Sequence, residues 1–172
     1  VDTLQVKSPS MNKSIEVVVV SPDVAATKAC PVIYLLHGYG GNARTWVGIK
    51  PDLSKIADEK GIFFVCPDGK NTWYWDSPLN ADVRYETFIS DELVKYVDSH
   101  YKTVADRKGR AITGLSMGGH GAMWNGLRHS DVFSAAGSTS GGVDIRPFPN
   151  NWHMSDWLGK ESENQEVWDN HT

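Results

Sequence analysis

The sequence has 172 residues, of which 40% are hydrophobic, a size that supports one domain with a real core and is too small for two large ones. Its 17 basic and 21 acidic residues give a net charge of −4 and are scattered without a basic run, which argues against nucleic acid or an anionic membrane as a partner. No apolar stretch approaches the length of a membrane-spanning helix.

Strand-like and helix-like segments alternate along the chain. Residues 3–8 and 14–20 are strand-like and separated by a turn, which predicts a hairpin. The elements predicted after it are, in chain order, a strand over 31–36, a helix over 51–61, a strand over 62–66, an aromatic loop over 67–82, a helix over 84–101, a strand over 110–113, a helix over 117–129, a strand with its exit loop over 132–141, and short helices near 152–158 and 162–168. This order predicts an α/β fold with a mostly parallel twisted sheet and helices on both faces.

The segment "GLSMG", residues 114–118, matches the pattern G-x-S-x-G. An apolar strand precedes it and a helix follows, which is the setting of a nucleophilic serine on a sharp strand-to-helix turn. Such a serine adopts a strained backbone, and glycines two positions away avoid clashes there. A chance turn is the alternative, but the flanking elements and the further glycines favour Ser116 as a nucleophile.

A second motif, "LLHGYGG" over 35–41, directly follows a buried strand. An acyl-transfer serine needs hydrogen-bond donors aimed at the developing oxyanion. We expect one donor to be the backbone N–H of Met117, the residue after the nucleophile, and the other to come from the region of Tyr39. We interpret His37 as a brace for this loop rather than as the general base.

Taken together, the motifs make the chain resemble the esterase D family of α/β-hydrolases, which includes S-formylglutathione hydrolases, tributyrin esterases, feruloyl-esterase domains and mycolyltransferase-like proteins. The matching segments are "YLLHGYGGNARTW" (34–46), "NTWYWDSP" (71–78), "YETFISDELVKYVDSHY" (85–101), "RAITGLSMGGHGAMWNGLRHSDVF" (110–133) and "AAGSTSGGVD" (135–144). The resemblance implies the α/β-hydrolase fold, Ser116 as the acyl-enzyme nucleophile, and the N–H groups of Tyr39 and Met117 as the oxyanion hole.

The same resemblance implies a set of residues near the substrate. Trp73, Tyr74 and Trp75 of the aromatic loop would lie at the mouth of the site, together with His120 on the helix after the nucleophile. We interpret His120 as a wall residue of that mouth.

The partners of the serine are harder to find in the sequence. Hydrolases of this fold carry the acid and then the histidine downstream of the serine, and His129, His153 and His171 lie there without the expected context. We therefore hypothesise one incomplete α/β-hydrolase domain over 1–172, in which the last strands, the catalytic acid and the histidine are missing. The sheet edge left exposed in such a domain predicts a homodimer.

The expected function is that of a serine esterase acting on a small-molecule or carbohydrate ester. Seven tryptophans favour acetyl or feruloyl esters of carbohydrates. Three alternatives stay open: an acyltransferase, a catalytically incomplete carbohydrate-binding or interaction module, and a self-sufficient enzyme that uses His153 or His171. The absent initial methionine and the carbohydrate-leaning site favour an exported protein.

Cofactor motifs are not visible in the sequence. The histidines lack paired metal-ligand spacing, and no phosphate-binding or dinucleotide-binding pattern occurs. We therefore expect neither a metal nor another cofactor. Cys30 lies just before one predicted strand and Cys66 near the end of another. If these strands run parallel, the two sulfurs lie at opposite ends and out of disulfide reach, so we predict free thiols.

Overall fold

The computed structural model describes residues 1–172, and its six strands form a single sheet in the order β1-β2-β4-β3-β5-β6. The strands are β1 (Asp2–Ser8), β2 (Lys13–Val20), β3 (Val32–Leu36), β4 (Phe63–Pro67), β5 (Arg110–Leu115) and β6 (Ala135–Thr139). The helices are α1 (Thr45–Ile49), α2 (Leu53–Lys60), α3 (Tyr85–Thr87), α4 (Leu93–His100), α5 (Met117–Arg128), α6 (Met154–Leu158) and α7 (Gln165–Asp169).

The sheet is parallel over four of its strands. β4, β3, β5 and β6 run parallel to one another, whereas β1 and β2 form the predicted antiparallel hairpin and β2 pairs antiparallel with β4. The predicted α/β architecture with a mostly parallel sheet is confirmed. The antiparallel contact of the hairpin with β4 is not visible in the sequence, because a strand's own residues do not specify which neighbour it joins.

Both faces of the sheet are covered, as the alternation within β2 illustrates. Val17 and Val19 belong to a core cluster of 29 buried residues, whereas Val18 and Val20 belong to a second cluster of 8 on the other face. Successive strand residues point to opposite faces, so an unbroken valine run serves both clusters.

The long helix predicted over 84–101 is interrupted in its middle. α3 and α4 are joined by a π-helical segment, Phe88–Glu92. The Glu92 carboxylate accepts hydrogen bonds from Ser8 Oγ at 2.7 Å and from the Ser10 N–H at 2.8 Å. The π segment is therefore tied to the turn between β1 and β2.

The strand predicted over 132–141 is shorter than expected. β6 begins only at Ala135, because the N–H groups of Val132 and Phe133 both donate to the His129 carbonyl and close the end of α5. α1 was not predicted, since its five residues are too few for a helical hydrophobic period to appear.

Two further expectations concern the cysteines and membrane spans. Cys30 and Cys66 are buried free thiols, and burial raises the pKa of Cys66 to about 12. None of the helices combines the length and the apolar character that crossing a membrane demands.

The close contact of α5 with the sheet yields a stability prediction. A Cβ at Gly118 would overlap the Leu36 carbonyl of β3, so Gly118→Ala should lower the free energy of unfolding by about 3 kcal/mol. Gly48→Ala in α1 is the matched control, because a Cβ there meets nothing within 4 Å and alanine favours a helix. Denaturant unfolding checks both variants, and equal midpoints for the two would contradict the packing argument.

Candidate active site

Ser116 occupies the turn between β5 and α5, with a backbone conformation of φ 54° and ψ −115°. Few residues other than glycine adopt such angles, and they persist only where the surroundings enforce them. Here the Ser116 N–H donates to the Thr139 carbonyl at 2.8 Å, and the Ser116 carbonyl accepts the His120 N–H at 3.0 Å. The strained serine is thus held from both of its backbone groups.

The glycines of the motif are required by close packing. A Cβ at Gly114 would overlap the backbone of Gly118, and a Cβ at Gly118 would overlap the Leu36 carbonyl. The G-x-S-x-G spacing therefore follows from how closely the start of α5 approaches the ends of β5 and β3.

The loop after β3 lies directly beside the serine. A Cβ built on Gly38 would be 3.5 Å from the Ser116 Cβ. The Gly38 carbonyl accepts hydrogen bonds from His37 Nδ1 at 2.7 Å and from the Gly41 N–H at 3.0 Å. Because the Gly38–Tyr39 peptide is trans, this anchored carbonyl fixes the opposite direction of the Tyr39 N–H. That N–H donates to no group of the chain.

A second donor stands at the start of α5. Met117 is the first residue of this helix. The N–H groups of a first helical turn have no acceptor within the helix, and the helix dipole is positive at this end. Ser116 is therefore followed by one such N–H and flanked by the unengaged N–H of Tyr39. Backbone N–H groups of this kind are the donors from which oxyanion holes are built.

His37 uses both of its ring nitrogens inside the protein. Nδ1 donates to the Gly38 carbonyl, and Nε2 accepts the Gly69 N–H at 2.9 Å, a pattern that assigns the neutral Nδ1–H tautomer. The residue is only 1% exposed. Its geometry is that of a brace, because no nitrogen is left to take a proton from Ser116.

A cavity of about 210 Å³ opens at Ser116. It is lined by Tyr39, Trp73, Ser116, Ser140, Gly141, Gly142, Asp144, Ile145, Phe148, Trp152 and Met154. Phe148 and Trp152 come from the irregular tail and are 44% and 43% exposed. Sequence reasoning missed both, because the tail has no periodicity that would orient its side chains.

Backbone strain is concentrated around this cavity. Of the residues other than glycine with positive φ, four line it: Trp73, Ser116, Ser140 and Trp152. Trp73 and Trp152 are locked together, since the Trp73 indole N–H donates to the Trp152 carbonyl at 3.0 Å. Strained residues of this kind gather where function demands a particular geometry.

The predicted aromatic loop divides into one lining residue and two buried ones. Trp73 reaches the cavity, whereas Tyr74 and Trp75 are fully buried. The Tyr74 hydroxyl donates to the His37 carbonyl at 2.9 Å, which supports the loop that carries Tyr39. The placement gives no support to substrate contacts by Tyr74 and Trp75, because the core encloses both rings.

His120 lies behind the cavity wall rather than on it. Its ring packs edge-on against Trp73 at 5.3 Å and against Trp75 at 5.2 Å, and its Nδ1 donates to the Gly142 carbonyl at 2.9 Å. The ring is nearly buried and contributes to a separate depression. Substrate contact by His120, expected from the sequence, is therefore not supported by its position.

The remaining downstream histidines differ in their surroundings. His129 pairs with Glu86 at 2.8 Å, and His171 Nδ1 donates to the Val167 carbonyl at 2.7 Å. His153 pairs with Asp156 at 2.9 Å, and its ring stacks on Tyr39 with 6.2 Å between centroids.

His153 stands at the edge of the cavity. Its sequence neighbours Trp152 and Met154 both line that cavity. The hydrogen bonds of the histidines go to groups other than the Ser116 hydroxyl. Sequence reasoning found no context for His153, since its pairing with Asp156 and its contact with Tyr39 arise only from the fold of the tail.

Metal ligands do not cluster in the structure. No group of three or more histidine, cysteine, aspartate or glutamate side chains is arranged so that it could hold a metal ion.

Comparison with known proteins identifies relatives of this chain. The model of the Esterase family, described as "Putative esterase", matches residues 8–172. An esterase of Mycobacterium tuberculosis is 35% identical over 123 residues, which are 67% of this chain and 26% of that protein. An acetyl esterase of Caldicellulosiruptor saccharolyticus is 31% identical over 102 residues, 59% of this chain and 37% of that protein.

A solved structure extends the similarity to the fold. A ferulic acid esterase superimposes with a TM-score of 0.75 at 30% identity, covering 99% of this chain and 68% of that one. The match includes nearly every element described above. Against the curated relatives, by contrast, this chain spans only about a quarter to a little over a third of their length.

The buried His120 imidazole predicts a pH-dependent stability. Burial lowers its pKa from the ordinary 6.5 to about 4. The unfolded chain therefore binds this proton at higher pH than the native protein does, and stability is lost as the pH falls from about 6.5 through about 4. Between about pH 7 and pH 4, the wild type should lose on the order of 2–3 kcal/mol more than His120→Asn. Urea unfolding across this pH range tests it, and parallel profiles would refute the assignment.

Proposed function

We propose that this chain, which belongs to the Esterase family, acts as a serine hydrolase of carboxylic esters with Ser116 as the nucleophile. The observation that carries the proposal is the strained Ser116 beside the unengaged N–H of Tyr39. A structural turn has no need of a strained serine next to a vacant donor. The esterases among its relatives support the same reaction class.

The reaction follows from the positions of these groups. Ser116 Oγ attacks the ester carbonyl, its proton passes to a general base, and the carbonyl oxygen becomes an oxyanion. The N–H groups of Tyr39 and Met117 bind that oxyanion. Collapse of the tetrahedral intermediate expels the protonated alcohol and leaves an acyl-enzyme, which water then hydrolyses to the free acid.

His153 is the candidate base within this chain. Asp156 orients its ring through Nδ1, as the acid of a triad orients its histidine, and the ring stacks on Tyr39 at the edge of the cavity. Both side chains are more than half exposed. Substitution of His153, made alongside that of Ser116, tests whether His153 is the base.

Labelling with a fluorophosphonate probe tests the nucleophile. The wild-type chain should take up the probe at Ser116, as located by mass spectrometry, and Ser116→Ala should take up none, because the variant has no oxygen to phosphonylate. His153→Ala should slow labelling by at least about tenfold if His153 is the base.

The control for that experiment is Ser134→Ala, which removes an exposed serine hydroxyl bound to the Arg110 carbonyl away from the cavity. It should label at the wild-type rate. A folded wild-type chain that stays unlabelled would contradict activation of Ser116 by groups of this chain, and an unchanged rate in His153→Ala would assign the base elsewhere.

The cavity wall supports an ester with a planar aromatic acyl group as the preferred substrate. Trp73, Phe148 and Trp152 contribute three aromatic rings, and Phe148 packs against Trp152 with 5.4 Å between centroids. Aromatic pairs of this kind contribute beyond simple burial of apolar area. The ferulic acid esterase among the solved relatives supports this acyl group over acetyl, and an ester link to a carbohydrate is the natural extension.

Binding of ferulate, the acid that such a reaction releases, tests the aromatic wall. Trp152→Ala should weaken ferulate binding roughly two- to twelvefold, since stacking of one ring is worth roughly 0.5–1.5 kcal/mol. Leu127→Ala is the control, because Leu127 is 70% exposed and lines the separate depression beside His120. Isothermal titration calorimetry gives the dissociation constants. A larger loss of ferulate affinity in Leu127→Ala than in Trp152→Ala would show that ferulate binds in that depression instead.

The homodimer stays a prediction. β6 stands at the edge of the sheet and four of its five residues are exposed, which supports pairing with a second copy. Light scattering on the purified chain measures its mass and decides the point.

A further inference from the structure

The loop that carries the Tyr39 N–H has little packing to hold it. Tyr39 is 40% exposed, and a Cβ built on Gly40, whose φ is +78°, would meet nothing within 4 Å. Apart from the stacking of the Tyr39 ring on His153, packing therefore contributes little to holding the outer side of this loop at Gly40. An oxyanion donor has to be fixed before the reaction begins, because reorganising it during the reaction costs rate.

Hydrogen bonds fix the two peptide groups around Tyr39 from opposite sides. The Gly38 carbonyl is held from within the loop, by His37 Nδ1 and the Gly41 N–H. The following N–H, that of Gly40, donates to Asn71 Oδ1 at 2.8 Å. Asn71 is thus the side chain that anchors the peptide on the far side of Tyr39.

Asn71 is itself anchored to the segment that lines the cavity. Its carbonyl accepts the indole N–H of Trp157 at 2.9 Å, and the Trp157 carbonyl accepts Ser77 Oγ at 2.6 Å. Trp157 belongs to α6, which starts directly after Trp152 and His153 of the cavity edge. One residue therefore contacts both the donor loop and the helix of the tail.

We propose that Asn71 is a positioning residue of the oxyanion hole, which fixes the Tyr39 N–H by holding the neighbouring Gly40 N–H and couples that donor to the cavity segment through Trp157. The inference rests on the proposed function for its effect on reaction. Its structural part, control of the loop by one amide oxygen, stands on the hydrogen bonds alone.

Three variants separate this role from simple stability. Asn71→Ala removes the acceptor, Asn71→Asp retains an oxygen at the same place, and Trp157→Phe keeps a ring but removes the indole N–H. The matched control is Asn80→Ala. Asn80 Oδ1, like Asn71 Oδ1, accepts a backbone N–H, but its donor is the nearby Asp82, at 2.9 Å, and not a residue of the Tyr39 loop.

The first readout is hydrogen exchange of the Gly40 amide, followed by NMR. Exchange should accelerate at least about tenfold in Asn71→Ala, stay close to wild type in Asn71→Asp and Asn80→Ala, and rise to a smaller extent in Trp157→Phe. This readout does not depend on catalysis. Unchanged exchange in Asn71→Ala would overturn the proposal.

The second readout is the rate of fluorophosphonate labelling at Ser116. Asn71→Ala should label about tenfold or more slowly than Asn80→Ala at equal unfolding midpoints, because the probe's oxyanion uses the same donor. Equal rates for the two would overturn the role in positioning. An unlabelled wild type counts against the proposed function, whereas the exchange comparison still decides the contact at Gly40.

Discussion

The candidate site depends on one constraint, the enforced left-handed backbone of Ser116 between β5 and α5. Its N–H and carbonyl are both engaged, and glycine at positions 114 and 118 lets the helix start against the sheet without collision. The hydroxyl is thereby placed at the end of the strands while the helix N-terminus points at the same space. A substitution that loosened this turn would displace the proposed nucleophile and the proposed donor at Met117 together.

The surroundings of this turn are organised as a polar frame with an aromatic lining. The side chains of His37, Tyr74 and Asn71 each hydrogen-bond to a backbone group of the loop beside Ser116. Trp73 and Trp152 form the lining and are tied to each other by an indole N–H. Rigid hydrogen bonds thus set the donor geometry, whereas rings with few polar groups are left to shape the cavity.

Much of this arrangement could be predicted from sequence where local chemistry dictates structure. The G-x-S-x-G turn, the loop of Tyr39 and the alternation of strands and helices follow from glycine sterics and hydrophobic period, which act over a few residues. The roles of Phe148 and Trp152 could not be predicted, because their direction depends on contacts across the fold. For the same reason, the expectation that Trp73, Tyr74 and Trp75 all lie at the substrate mouth could not separate Trp73, which lines the cavity, from the buried Tyr74 and Trp75.

The backbone of Ser116, the proposed nucleophile, is hydrogen-bonded to the last strand of the sheet. The Ser116 N–H donates to Thr139 of β6, a strand of five residues whose other side has no neighbouring strand. Edge strands open at a lower free energy than central ones, and each such opening releases the serine from its strained conformation. In this chain, fraying of β6 therefore also removes the hydrogen bond that holds the Ser116 N–H. Loss of β6 pairing would loosen the proposed nucleophile even while the rest of the fold remains intact.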